Sequence, residues 1–179
     1  MRVSPPLMAQ IARALDRPDP AYASGRPQVA RAASPVTRAY ARFWQGLPFF
    51  AAPAPGFGLY AVNAAGRARW GEFPQIISDD TYVRVQFAPG ERIEVPAPYT
   101  WPMVEGFAAL VRVRRRQDAG VAELAARDPA LMVNEAKPRL TPAQAARRVL
   151  ADPAGAAVYA AVTAGVRLGR GRGGWDRGR

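Results

Sequence analysis

The chain contains no cysteine and no histidine. The first absence excludes disulfides and thiolate chemistry. The second removes the usual zinc ligand, the usual neutral-pH base and any Ser-His-Asp triad. Lysine is nearly missing as well. Lys137 is the only one, so arginine carries the net charge of +11. Any chemistry falls to carboxylates, guanidinium groups, hydroxyls and the backbone. No segment reaches the roughly 20 apolar residues that a membrane-spanning helix needs. The most apolar stretch, Ala154 to Val166, is short and bounded by Pro153 and Arg167. No charged start followed by an apolar run marks an N-terminal leader. The expectation is a cytoplasmic chain, with peripheral contact to a membrane left open.

A length of 179 residues suits one domain. A basic surface attracts phosphates, nucleic acid or anionic lipid headgroups. Abundant Arg, Ala, Gly and Pro with little Lys is equally what a coding bias toward G and C produces. Ser4-Pro5-Pro6 predicts a helix start, with Leu7, Ile11 and Leu15 as its buried stripe. Ala21 to Ala33 reads as extended. Ser34-Pro35 starts a second helix whose apolar face is Val36, Tyr40, Phe43, Trp44 and Leu47. Pro53 to Gly58 is a loop, Leu59 to Asn63 a strand and Asn63 to Gly66 a turn.

Beyond Gly66 the pattern is less uniform. Thr81 to Phe87 alternates like a strand, yet Ser78-Asp79-Asp80 before it is a good helix start. Arg92 to Val95 reads as a short strand. Pro102 opens a predicted helix that ends near Gly120, with Arg112, Arg114, Arg115 and Arg116 in its last turns. Cations there suit the negative end of the helix dipole. Val121 to Arg127 reads as a separate short helix. Thr141-Pro142 begins another, through Leu150, and Ala154 to Leu168 the last. The Gly/Arg-rich segment 169–179 is expected to be a flexible tail.

Two clusters carry candidate chemistry. Asp79 and Asp80 sit between an apolar dipeptide and a hydrophobic segment, where a carboxylate can serve as a general base. Arg114-Arg115-Arg116 can neutralise phosphate, because a guanidinium matches phosphate oxygens in a planar, bidentate way. Read alone, the acids are also what a solvated turn or helix cap requires, and the arginines what a solvated helix end requires. The aromatic residues Tyr40, Phe43, Trp44, Tyr99 and Trp101 read first as core.

The region from Gly56 to Gly120 resembles the C-terminal half of the catalytic domain of family 2 glycosyltransferases, inverting enzymes of the GT-A fold. Ser78-Asp79-Asp80 is similar to their Thr-Glu-Asp motif. Val113-Arg114-Arg115-Arg116-Gln117, followed by Gly120, is similar to a degenerate Gln-x-x-Arg-Trp motif. Pro55-Gly56-Phe57-Gly58 lies where these enzymes approach the sugar site with a glycine-rich loop. The resemblance implies an α/β fold: a GT-A-like mixed sheet flanked by helices, lacking the N-terminal nucleotide-binding half, with C-terminal helices. It implies one partial domain over 1–168, with a helical part over 121–168.

It further implies that Asp80 is the catalytic base with Asp79 beside it. Arg116 contacts the donor diphosphate, with Arg115 and Arg114 as further candidates, and Gly56 and Gly58 border the sugar. The implied partners are a nucleotide-sugar donor and a saccharide or lipid-linked acceptor. The family holds Mg²⁺ or Mn²⁺ with an Asp-x-Asp motif that has no counterpart here; Asp16 and Asp19 have the wrong spacing. On that resemblance the chain is expected to be cut in front of its donor site. Val113 and Gln117 replace the outer Gln and Trp, which speaks against processive polymer synthesis. The rival expectation is a non-catalytic remnant, or a basic module for nucleic acid or anionic lipid, with nucleic acid the weaker partner.

Overall fold

A computed structural model describes residues 1–168 apart from 136, 137 and 139, so the tail expected at 169–179 lies outside the described residues. Helix α1 (Pro5–Leu15) starts where the Ser4 hydroxyl accepts the Leu7 N–H, with proline in the first turn. Strand β1 (Tyr22–Val29) follows, then α2 (Pro35–Gln45), capped by Ser34 in the same manner. A 3-10 turn (Pro48–Ala51) leads into the loop before β2 (Ala61–Val62). The expected turn after it is a one-turn helix, α3 (Ala64–Arg67). The Asn63 side chain caps it at Gly66, accepts the Ala21 N–H, and donates to the Arg17 and Asp19 carbonyls.

Residues 79–85 form a helix, α4 (Asp79–Val85), which settles the ambiguity of that segment. Tyr82, Val83 and Val85 are all buried because the short helix is covered on more than one side. Burial on two sides is what imitates strand alternation in the sequence. Strand β3 (Arg92–Trp101) runs well past the expected Val95. Pro96 and Pro98 are tolerated because β3 is an edge strand, where a missing N–H costs least.

Helix α5 (Phe107–Arg127) corrects two expectations. It does not start at Pro102. Residues 102–106 have no regular structure, and the Glu105 carboxylate accepts the Ala33 and Ser34 N–H groups just before α2. Nor does it stop at Gly120; 121–127 is its continuation, not a separate helix. Arg112 to Arg116 therefore lie in mid-helix, and the dipole argument does not apply to them. A 3-10 segment (Pro129–Glu135), α6 (Pro142–Ala151) and α7 (Pro153–Leu168) complete the chain.

The three strands form one mixed sheet in the order β2-β1-β3, antiparallel between β1 and β2 and parallel between β1 and β3. Adjacent residues of a strand face opposite sides. Ala23 accordingly packs with Leu7 and Ile11 of α1, while Tyr22 packs with Val83 and Val85 of α4, Phe87 and Leu124 of α5. A third cluster joins Tyr40, Leu110 and Val162 of α2, α5 and α7. At 1.5 Å per residue α5 is about 30 Å long. That length lets one rod place Leu110 in the helical cluster and Leu124 beneath the sheet. The fold is thus mixed α/β, a three-strand sheet flanked by helices. Among the described residues no single helix is long and apolar enough to cross a membrane; α6 and α7 pass by length and composition only as a pair bent by 115°.

Candidate active site

The two acids open α4, and both are exposed. The Asp80 N–H donates to Asp79 Oδ1 at 2.9 Å, and the Thr81 N–H to Asp80 Oδ1 at 2.7 Å. These are the orphan amides of a helix start, and a carboxylate satisfies them while also favouring the dipole. The Thr81 hydroxyl adds a 3.4 Å contact to the same Asp80 oxygen. The other oxygen of Asp80 takes no hydrogen bond from the described residues and faces no cation at ion-pair distance. The backbone, rather than a neighbouring arginine, supports the charge.

Two features hold this turn in place. Gly120 of α5 is buried against it: a Cβ there would lie 2.2 Å from Ser78 Oγ and 3.0 Å from Ile77 Cβ. One turn further on, the Glu123 carboxylate accepts the Ile77 N–H at 3.0 Å. The residues just before the acids therefore pack on the same helix that carries the arginine run. Arg116 lies one turn before Gly120 on the same side of the helix, since residues four apart share a face. It is exposed and takes no hydrogen bond or ion pair from the described residues.

Its two neighbours point elsewhere. Arg114 donates to the Tyr40 and Tyr159 hydroxyls, each at 3.2 Å, and pairs with Asp118. Arg115 donates to the Gly165 carbonyl of α7 at 3.0 Å. Both guanidinium groups tie α5 to the helical cluster. Of the three arginines, Arg116 alone has its charge uncommitted among the described residues.

The glycine loop borders the acids through two tyrosines. Gly56 and Gly58 both have positive φ, 71° and 66°, a conformation that glycine adopts without strain. A Cβ on Gly56 would fall 1.8 Å from the Tyr22 hydroxyl. Tyr22 is wholly buried, and its hydroxyl finds no partner among the described residues. Its ring stacks on Tyr60, with centroids 5.4 Å apart and planes at 12°. Burial pushes the Tyr60 phenol upward, and the negative charges of Asp79 and Asp80 push it the same way. Burial also raises Tyr22, the Arg84 cation lowers it and Asp80 raises it. The acids and the tyrosines thus share one electrostatic neighbourhood.

Behind them lies a buried charge cluster. Arg84 pairs with Glu135, and Arg92 donates to the Phe87 and Asn134 carbonyls. Burial depresses Arg92, and the nearby Arg84 cation adds to that. Sequence reasoning missed Tyr22, Tyr60, Arg84, Arg92 and Glu135. Arg84 and Arg92 look solvated in an arginine-rich chain, and only tertiary packing reveals their burial. Tyr60, three residues before the turn at Asn63, carries no local signal of its own.

Among the described residues no group of three or more acidic, Cys or His side chains gathers as a metal site. Asp79 and Asp80 offer two adjacent carboxylates whose Oδ1 atoms already accept backbone amides. That donor set does not by itself fit the divalent ion implied by the resemblance, and no chemical step is routed through one. No family model, curated protein or solved structure matches this chain.

Proposed function

We propose that this chain carries the acceptor side of an inverting GT-A glycosyltransferase. In this reading a sugar moves from a nucleotide-sugar to a hydroxyl of a saccharide or lipid-linked acceptor. The observation that supports it most is the packing of the Ser78-Asp79-Asp80 turn on Gly120, with the uncommitted Arg116 one turn away. The chemistry needs a base and an anion contact on adjoining surfaces; the acids each keep one oxygen without a hydrogen bond among the described residues, and Arg116 is the one of the three clustered arginines without a partner there.

Asp80 accepts the acceptor proton on the carboxylate oxygen that Thr81 does not occupy. The acceptor oxygen then bonds to the anomeric carbon as the bond to the diphosphate oxygen breaks. Charge develops on the departing diphosphate, and Arg116 is suited to balance it. Asp79, held on the Asp80 amide, fixes the turn. Of the two loop glycines, Gly58 is exposed and open to a sugar beside Trp101, while Gly56 is buried against the Tyr22 hydroxyl. The divalent ion of such enzymes, Mg²⁺ or Mn²⁺, belongs to donor binding in this reading, and no described residues are assigned to it.

The test is a screen of the protein, alone and together with a nucleotide-binding GT-A half, with nucleotide-sugars and hydroxyl acceptors, scored as acceptor-dependent release of nucleoside diphosphate. The reading expects release with at least one donor once the nucleotide-binding half is supplied. Absence of release across donors, together with salt-sensitive binding to single-stranded nucleic acid that Asp80→Asn leaves intact, would favour the basic-module reading instead.

A further inference from the structure

The stretch 46–62 contains no charged residue, and the Tyr60 hydroxyl is its only polar side-chain group. It nevertheless lies at the surface. Phe49, Phe50 and Phe57 from this stretch meet Trp44 of α2 and Trp101 at the end of β3, and all five rings are only partly buried. Trp44 is the hub, with centroids 5.1 Å from Phe49, 5.2 Å from Phe50, 5.2 Å from Phe57 and 5.8 Å from Trp101. Phe57 also lies 5.6 Å from Trp101 and 5.7 Å from Phe50. None of these rings belongs to the buried part of a core cluster. Neither indole N–H has an acceptor among the described residues.

The rim of this face is cationic. The Arg148 guanidinium lies against Gly46, at the start of the uncharged stretch. Arg2 pairs through its backbone with Thr100 and so lies on the face opposite Trp101, outside the rim. Arg31 follows Ala30, whose N–H donates to the Trp101 carbonyl. Neither Arg31 nor Arg148 has an ion-pair partner among the described residues. The nearby carboxylates are already engaged, Asp152 by Arg42 and Glu105 by the first amides of α2.

The geometry points to a docking surface for an anionic lipid bilayer: the face of Trp44, Phe49, Phe50, Phe57 and Trp101, rimmed by Arg31 and Arg148. Phenylalanine rings enter the acyl boundary, while indoles sit at headgroup level with their N–H groups bonded there. Unpaired arginines at the rim meet lipid phosphates. A saccharide fits the face less well, because it requires convergent polar groups that 46–62 does not supply. The inference does not depend on the transferase reading.

Cosedimentation of the protein with phosphatidylcholine vesicles containing about a third phosphatidylglycerol tests it. Binding is expected to these vesicles, to be weak on phosphatidylcholine alone, and to fall with salt. Phe50→Ser should weaken it about tenfold with the helical circular dichroism unchanged. Arg148→Gln, which leaves the aromatic packing intact, should weaken it less. In a Trp175→Phe background, brominated lipid should quench tryptophan emission, and Trp44→Phe with Trp101→Phe should remove most of that quenching although Trp70 remains. Three results would overturn the inference: no vesicle binding, binding indifferent to Phe50→Ser, or a Phe50-dependent dimer in light scattering that does not bind vesicles.

Discussion

Gly120 and Ser78 are in contact at a distance that admits no side chain on the glycine: a Cβ would stand 2.2 Å from the Ser78 hydroxyl. Rotating the serine would not relieve it, because Ile77 Cβ is also only 3.0 Å away. Alanine favours a helix interior by up to about 1 kcal/mol over glycine. Overpacking of this kind costs about 1–3 kcal/mol. Gly120→Ala is therefore expected to be net destabilising in urea unfolding, and to displace the Asp79-Asp80 turn. A variant more stable than the wild type would show that α5 does not pack there.

Arg84 and Glu135 form the buried ion pair behind the acids. Removing one partner leaves an uncompensated charge, which costs about 3–5 kcal/mol. Glu135→Leu is expected to lower stability by that order, measured by chemical denaturation. The double variant Arg84→Met, Glu135→Leu should recover most of the loss. Equal destabilisation in the single and double variants would mean that the pair is not buried as described.

Tyr22 carries a buried hydroxyl without a partner among the described residues, pressed against Gly56. Such a group costs desolvation without a compensating bond. Tyr22→Phe should raise stability by up to about 1 kcal/mol. Gly56→Ala should be destabilising, since it meets both the positive φ and the Tyr22 hydroxyl. A clear loss of stability in Tyr22→Phe would contradict the packing around this loop.

Glu91 gives a pH dependence with a definite sign. The Arg69 hydrogen bond holds its carboxyl below the ordinary 4.5, against the opposing effect of desolvation, and the Ala88 amide helps. A depressed folded pKa stabilises above the unfolded value and loses that stabilisation as pH falls through the folded one. The stability difference between wild type and Glu91→Gln should be present at neutral pH and shrink once pH falls below about 4.5. A difference independent of pH from neutral to strongly acid conditions would exclude this role.

Much of the helical part is legible in the sequence. Ser4-Pro5-Pro6, Ser34-Pro35 and Thr141-Pro142 each combine a capping hydroxyl with proline in the first turn, and each starts a helix where expected. What misleads is tertiary. Gly120 looks like a helix stop, but it is there for the close approach to Ser78. Pro102 looks like a helix start, but the irregular residues after it hold the chain entering α2, through Glu105 on the Ala33 and Ser34 amides. Val83, Val85 and Phe87 alternate because α4 is buried on more than one side. At the site, the two acids stand out in sequence, yet no local pattern separates the uncommitted Arg116 from Arg114 and Arg115. Only the helix phase relative to Gly120 does that. Tyr22 and Tyr60 come from strands or loops remote from the acids in sequence, and only the sheet brings them alongside.

The central claim is that the free oxygen of Asp80 accepts the acceptor proton. Its most direct test is the rate of sugar transfer by Asp80→Asn against the wild type, each combined with a nucleotide-binding GT-A half, under saturating donor and acceptor. The asparagine should still cap α4, so thermal unfolding should be nearly unchanged. Transfer should fall by at least about a hundredfold, the scale of a positioned general base. Retention of wild-type transfer by Asp80→Asn would contradict the account.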